Sequence, residues 1–228
     1  MKNTFPVFEL NNINFAYPGG EHVLEKIHLN VHQNDIIVIK GESGAGKSTF
    51  LKLFNRFCDI RDGELLFHGR QLREYRIEKV RGSIIYLSQI PYLIEGSVGD
   101  NLMFPFQYKV HNARIFNRKR AQELLAYFNL DIPLQHEASN LSVGQRQRVS
   151  VIRAILLEPE VLLLDEPGSS LDEINRRNLE IKIESLSEIS GITVIMATHR
   201  ELSFNDRKHR LFYIQNRNLI EDFRVEHN

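Results

Sequence analysis

Gly41-Glu42-Ser43-Gly44-Ala45-Gly46-Lys47-Ser48 matches the pattern G-x-x-x-x-G-K-[ST] at every fixed position. Backbone N–H groups that converge on an anion need φ values glycine adopts cheaply, so Gly41, Gly44 and Gly46 suit a phosphate nest. In such a loop Lys47 reaches the β- and γ-phosphates as a point charge, and the Ser48 hydroxyl ligates Mg²⁺. The flanks supply the context the pattern requires. Asp35-Ile36-Ile37-Val38-Ile39-Lys40 is a short β-branched run that reads as a buried strand. Thr49-Phe50-Leu51-Lys52-Leu53-Phe54 has helical character, with Phe50, Leu51 and Phe54 at i, i+1 and i+4. Strand, glycine loop and helix would seat a phosphate at a helix N-terminus, where the dipole and the unpaired N–H groups favour it. The bland alternative is a glycine-rich turn that binds nothing.

The 228-residue chain is 42% hydrophobic and 25% charged. That balance belongs to a globular protein with room for a sizeable core, and one domain with a subdomain is the expectation. Lys+Arg and Asp+Glu are equal at 29 each; without the usual basic excess, no nucleic acid is expected as a partner. The single cysteine, Cys58, cannot form an internal disulfide, which fits a reducing compartment, and it reads as a small apolar filler. No apolar run approaches the roughly 20 residues of a membrane span. Met1 to Pro6 lacks the apolar segment of a secretory signal. If this protein serves a membrane, another chain supplies the spans.

Residues 5–39 read as β, through Phe8 to Phe15 and Val23 to Val31, joined by the turn signal Tyr17-Pro18-Gly19-Gly20. His28 and His32 have no Cys or acidic partner nearby and read as solvated surface histidines rather than a metal pair. Short strands are predicted at Glu64–Phe67 and Ser83–Ser88, with a short helix between residues 71 and 81. Pro91, Pro105 and Pro133 punctuate a stretch without strand alternation. In it, Arg120–Phe128 is amphipathic, with Ala121, Leu124, Leu125 and Phe128 on one face, and Val143–Leu157 forms a second helix. The continuous apolar run Val161–Leu164 is a central strand. A helix over Ile174–Ser190 leads to another buried strand, Ile192–Ala197, and Arg210–Val225 suggests a hairpin through Asn216. Strands alternating with helices after residue 35 predict a parallel sheet.

Asp165 and Glu166 follow the strand 161–164 directly. In an open α/β sheet, ligands bind beyond the carboxyl ends of the strands. Asp165 is therefore placed to hold Mg²⁺ through water, and Glu166, one residue farther out, to polarise a water for in-line attack on a γ-phosphate. Alone, an acidic pair at a strand end is only a loop signal; with the phosphate loop upstream it becomes a metal-binding and catalytic candidate.

Leu141-Ser142-Val143-Gly144-Gln145 precedes this strand and resembles the LSGGQ signature of the ABC-transporter ATPases, with Val143 at the variable third position. Other motifs of that family stand in order. Tyr17 falls where an aromatic residue stacks on adenine, and Gln89 follows a strand as the Q-loop glutamine does. Ser169-Ser170-Leu171-Asp172 resembles the D-loop, with Ser170 where alanine is commoner, and His199 matches the switch histidine. The bland readings of these residues are a turn aromatic for Tyr17, a solvated loop amide for Gln89 and a surface histidine for His199. The resemblance covers nearly the whole chain. It implies an α/β fold: a P-loop NTPase core with a parallel sheet, an N-terminal antiparallel β subdomain and a helical subdomain. Residues 1–228 would form one ATPase domain, with 1–90 and 158–228 as a RecA-like core plus β subdomain and 91–157 as the helical subdomain.

The same resemblance implies ATP and Mg²⁺ as cofactors and assigns roles. Tyr17 and the run Gly41, Glu42, Ser43, Gly44, Ala45, Gly46, Lys47, Ser48 and Thr49 would contact ATP. Ser48, Gln89 and Asp165 would hold the metal. Glu166, His199, Gln89 and Lys47 would carry the chemistry, with His199 bonded to the γ-phosphate. Ser142, Val143, Gly144 and Gln145, and Asp172 of the D-loop, would act across a two-fold, head-to-tail pair of copies. Ser142 is a good N-cap and Gly144 lets backbone approach an anion, which suits a signature helix facing a partner's γ-phosphate.

In this family ATP closes the pair and hydrolysis reopens it, driving membrane helices in a separate permease. That places the protein peripherally at the cytoplasmic face of the cell membrane, in a bacterial cytoplasm. Pro91 to Leu102 is similar to the exporter style of the coupling segment; Tyr92, Leu93 and Ile94 either line the groove for a membrane-subunit helix or belong to the core. Asp100–Gln107 and Ser170–Asn175 resemble stand-alone bacterial iron-export ATP-binding subunits. Two rival classes share the motifs. One is a non-transport ABC ATPase of DNA repair or translation, which copurifies with DNA or ribosomes. The other is a regulatory ATP switch, which releases no phosphate.

Overall fold

The computed structural model describes residues 6–111, 114–200 and 209–222. The chain opens with β1 (Phe8–Ala16) and β2 (His22–Val31), an antiparallel pair. Phe8, Leu10, Ile13 and Phe15 of β1 and Leu24, Ile27, Leu29 and Val31 of β2 are buried. One covered face and one wet face explain the alternation seen in the sequence. The alternation is loose because the register shifts between Leu10 and Ile13, where Asn12 takes a φ of 51°.

The chain continues through β3 (Ile36–Lys40), α1 (Lys47–Phe54), β4 (Asp62–Phe67), β5 (Arg70–Gln71), α2 (Ile77–Ser83) and β6 (Ile84–Leu87). Then come α3 (Val98–Met103), α4 (Arg118–Tyr127), α5 (Val143–Ile155), β7 (Val161–Asp165), α6 (Glu173–Ser190), β8 (Thr193–Ala197), β9 (Arg210–Gln215) and β10 (Asn218–Asp222). The strands form two sheets. One is antiparallel, in the order β2-β1-β4-β5; the other has six strands in the order β10-β9-β3-β8-β7-β6. Within the second sheet β9, β3, β8, β7 and β6 pair in parallel, and β10 closes the edge antiparallel to β9.

Successive residues of the central strands enter different cores. Ile36, Val38, Leu162, Leu164, Val194 and Met196 join the cluster built with α3 to α6, whereas Ile37, Ile39, Val161, Leu163, Ile195 and Ala197 join the one built with α1 and the antiparallel sheet. A strand buried on both faces reads as an unbroken apolar run. Against the second cluster α1 contributes Phe50 and Phe54, and the Phe54 ring meets Phe8 edge-on at 4.9 Å. Phe54→Ala should therefore cost about 3–5 kcal/mol, read as a lower urea midpoint at unchanged m-value. A loss under about 1 kcal/mol would mean that the site collapses onto the removed ring.

One expectation needs correction. The strand after the P-loop helix does not join the parallel sheet. β4 pairs antiparallel with β1, Phe8 opposite Phe67 and Leu10 opposite Leu65. Its exposure pattern gives the reason: Leu65 and Phe67 are buried on one face while Asp62, Gly63 and Glu64 are exposed, which suits a sheet covered on one side only. The tail hairpin turns at Asn216 and Arg217, both with positive φ (48° and 67°), the geometry of a two-residue type I′ turn. Its second strand ends at Asp222, and the residues expected to extend it to Val225 lie outside those described.

From residue 98 to residue 155 the described elements are helices and 3₁₀ turns, with one isolated bridge between Ser97 and Glu137. Ala121, Leu124, Leu125 and Phe128 are all buried, as the amphipathic pattern of α4 predicts. His28 and His32 are exposed. Among the described residues, no helix is long and apolar enough to cross a membrane.

Candidate active site

The carboxyl ends of four neighbouring strands deliver the site. β3 leads into residues 41–48, β6 into Gln89, β7 into Asp165 and Glu166, and β8 into Thr198 and His199. This is the edge at which open α/β sheets bind ligands. Gly46 caps α1 with φ 103° and offers no side-chain bond, so the first N–H groups of α1 stay available to an anion. Any side chain at Gly46 would meet Val23, with Cβ 2.9 Å from its Cγ1, and a Cβ on Gly41 would lie 2.9 Å from the Ile214 carbonyl oxygen.

Lys47 is buried, and its ammonium donates to the carbonyls of Gly41 (2.8 Å) and Glu42 (2.9 Å). It also stands 3.9 Å from Glu166 Oε1. Glu166 is the hub of the polar cluster. Gln89 Nε2 donates to its Oε2 (3.3 Å), and His199 Nδ1 lies 3.1 Å from the same oxygen. The backbone holds the hub in place: Glu166 has φ 49° and its N–H donates to Ala197 O (2.9 Å). A non-glycine residue held in the left-handed region costs free energy and persists where the surrounding structure over-determines it. Four residues singled out from the sequence, Lys47, Gln89, Glu166 and His199, thus meet at one carboxylate. The resemblance puts His199 on a phosphate; here its ring is aimed at Glu166.

Ser48 Oγ donates to Asp165 Oδ1 (3.0 Å), and Tyr86 Oη donates to Asp165 Oδ2 (2.7 Å). A hydroxyl and a carboxylate oxygen side by side are hard donors of the kind Mg²⁺ takes, with waters and phosphate oxygens completing its shell. Among the described residues no set of three or more His, Cys, Asp or Glu is grouped for a metal; a phosphate-bridging Mg²⁺ needs none. Sequence reading missed Tyr86. Burial first, then the bond and the charge of Asp165, raise its phenol above the ordinary value, so it stays protonated and donates. The signal was available: a tyrosine in the apolar run Ile84-Ile85-Tyr86-Leu87 must find a partner for its hydroxyl.

The signature residues are occupied locally. Ser142 caps α5 in a reciprocal box: its hydroxyl accepts from Gln145 N (3.3 Å) and its own N–H donates to Gln145 Oε1 (2.8 Å). Val143 is exposed, and a Cβ on Gly144 would stand 2.7 Å from Leu171 Cδ2, so the start of α5 abuts the turn before α6. Arg148 fixes α5 against the end of α4 by donating to Phe128 O and Asn129 O (3.3 Å each). Asp172 caps α6, accepting from Asn175 N (2.9 Å) and Asn175 Nδ2 (2.6 Å), and these two bonds hold its carboxyl below the usual range.

Tyr17 is half-exposed; its hydroxyl pairs with Thr49 Oγ1 (3.0 Å) and its ring lies edge-on to Phe15. That sets it against the first turn of α1. Glu42, Ser43, Gly44 and Ala45 line an open cleft of about 800 Å³ together with His199 and the Tyr213–Asn216 end of the hairpin. A second cleft, about 580 Å³, runs along residues 91–96 and 137–139. At its edge Tyr92 is 72% exposed, whereas Leu93 packs against the core. Leu93 thus belongs to the core, while Tyr92 stands outside it. Arg153 of α5 donates to Tyr92 O (2.7 Å), tying this cleft to the signature helix.

The family model described as "ABC transporter" matches residues 24–169, more than half of the chain. An ATP-dependent lipid A-core flippase of Pectobacterium atrosepticum is 30% identical over 219 residues, 93% of this chain and 37% of that protein. The phosphate import ATP-binding protein PstB of Mycoplasma genitalium is 33% identical over 204 residues, 85% of this chain and 61% of that protein. The chain spans between about a sixth and three fifths of the length of these curated relatives. Among solved structures, cbiO1 of Clostridium perfringens, described as part of the ABC transporter complex cbiONQ, superposes with a TM-score of 0.81 at 26% identity, over 95% of this chain and 87% of that one.

Proposed function

The chain belongs to the ABC transporter family, and on that premise we propose that it is an ATP-binding subunit that hydrolyses ATP to power transport through separate membrane subunits. The observation that carries this reading is the convergence of Lys47, Gln89 and His199 on the Glu166 carboxylate, one residue beyond the Ser48–Asp165 pair. Such a carboxylate, oriented by two donors and backed by a lysine, is equipped to take a proton from water. Lys47 would turn from the Gly41 and Glu42 carbonyls to phosphate oxygens, and Gln89 and His199 would keep Glu166 aimed. Mg²⁺, when held by Ser48 and Asp165, supplies charge neutralisation at the phosphates.

The pairing is proposed as head-to-tail and two-fold. Ser142 to Gln145 sit on a capped helix start with Val143 exposed; the Ser142 hydroxyl, which accepts from Gln145 N, keeps its proton to donate to nucleotide on a second copy. The cleft beside Tyr92 is the proposed seat of a membrane-subunit helix, and the Arg153 bond to Tyr92 O offers a route from that seat to the signature. We propose the division into 91–157 and the remainder on the same ground, and a peripheral place at the cytoplasmic face of a membrane. Export and a metal cargo such as iron rest on the resemblance of residues 91–107 and 170–175; the membrane subunits would read the cargo.

Steady-state phosphate release by the purified chain, alone and with its copurified membrane partner, tests the reading. Mg²⁺-dependent release is expected. Tight ATP binding with no release in either condition would make the protein a regulatory switch, and copurification with ribosomes or DNA in place of a membrane protein would make it a non-transport ATPase.

A further inference from the structure

We propose that Tyr86 is a positioning residue for Asp165, fixing the orientation of that carboxylate and so setting how tightly the site takes a divalent cation. The inference rests on the reading of Ser48 and Asp165 as the cation's ligands. The carboxylate is gripped at both oxygens, Oδ1 by the Ser48 hydroxyl at 3.0 Å and Oδ2 by the Tyr86 hydroxyl at 2.7 Å. A carboxylate whose Oδ2 is taken by a fixed donor presents Oδ1 to Ser48 without the freedom to rotate away. The grip on Oδ2 is the shorter of the two and comes from the neighbouring strand, β6, which pairs in parallel with β7.

Tyr86 is itself held. The Phe57 ring meets it edge-on at 5.8 Å, and the Arg81 guanidinium lies over Phe57 at 4.4 Å. Arg81 also donates to Asn55 O (3.4 Å) and Arg56 O (3.0 Å), the two residues that follow α1. One strut therefore runs from the end of the P-loop helix through Arg81, Phe57 and Tyr86 to the oxygen of Asp165 that faces away from Ser48. The helix that carries Ser48 and the carboxylate that faces it are braced at both ends, which is how a ligand pair keeps its spacing.

Tyr86→Phe removes the hydroxyl and keeps the ring. The readout is Mn²⁺ binding to the protein–ATP complex by electron paramagnetic resonance, beside ATP binding in EDTA and the metal-free melting temperature. Losing the partner that orients a metal-binding carboxylate should weaken Mn²⁺ about 10–100-fold, with ATP binding in EDTA and melting unchanged. An unchanged Mn²⁺ affinity overturns the proposal, as does a loss that runs in parallel in all three measurements, since that is a merely structural role. Asp165→Asn separates the two levels of the argument. If it weakens Mn²⁺ and Tyr86→Phe does not, only the role of Tyr86 fails; if it too binds Mn²⁺ like wild type, the ligand reading fails and the inference goes with it.

Discussion

Replacing Glu166 with Gln is expected to slow steady-state phosphate release by about 10²–10⁴-fold while ATP binding stays near wild type. The substitution is nearly isosteric. The carbonyl oxygen of the introduced amide can still accept from Gln89 and face His199, which in the wild-type protein stand 3.3 and 3.1 Å from Glu166 Oε2. What is lost is a basic oxygen able to take a proton from water, and a positioned base is worth that range. The left-handed backbone at this residue and its N–H bond to Ala197 O are untouched by a side-chain change, so the fold should hold. Phosphate release and binding of a fluorescent ATP analogue separate the two effects. Turnover within a fewfold of wild type would take Glu166 out of the role.

Lys47→Ala should instead weaken ATP binding by about 10–100-fold, because a charge-assisted contact to phosphate is removed. The side chain is buried and held by the Gly41 and Glu42 carbonyls, so its ammonium is already inside the loop that would wrap the nucleotide. Nucleotide titration reads the loss directly. An affinity equal to wild type would mean that the loop backbone alone holds the phosphates. The two variants thus divide the labour: one residue governs binding, the other the step after it.

The parts of this site that sequence made legible are those encoded locally. The phosphate loop, the apolar runs of β3 and β7, and the carboxylates at the end of β7 are each written within a few consecutive residues, as is the Ser142 cap of α5. What stayed hidden depends on which strand lies beside which. β4 reads like one more strand of the parallel sheet because pairing with β1, some 50 residues earlier, leaves no mark in its own sequence beyond its one-sided burial. Tyr86 meets Asp165 only because β6 adjoins β7 across 79 residues of sequence. The position of His199 after β8 is legible, yet the atom it faces, Glu166 Oε2, is a product of the sheet order.

The account depends most on the claim that two copies trap nucleotide between them, the loop at residues 41–48 of one facing Ser142 and Gly144 of the other. Analytical ultracentrifugation of the Glu166→Gln protein at saturating Mg-ATP, with and without its membrane partner, measures this directly. The predicted result is a dimer that holds two ATP and returns to monomer when nucleotide is withdrawn. A monomer at saturating Mg-ATP, even with the membrane partner present, would contradict it.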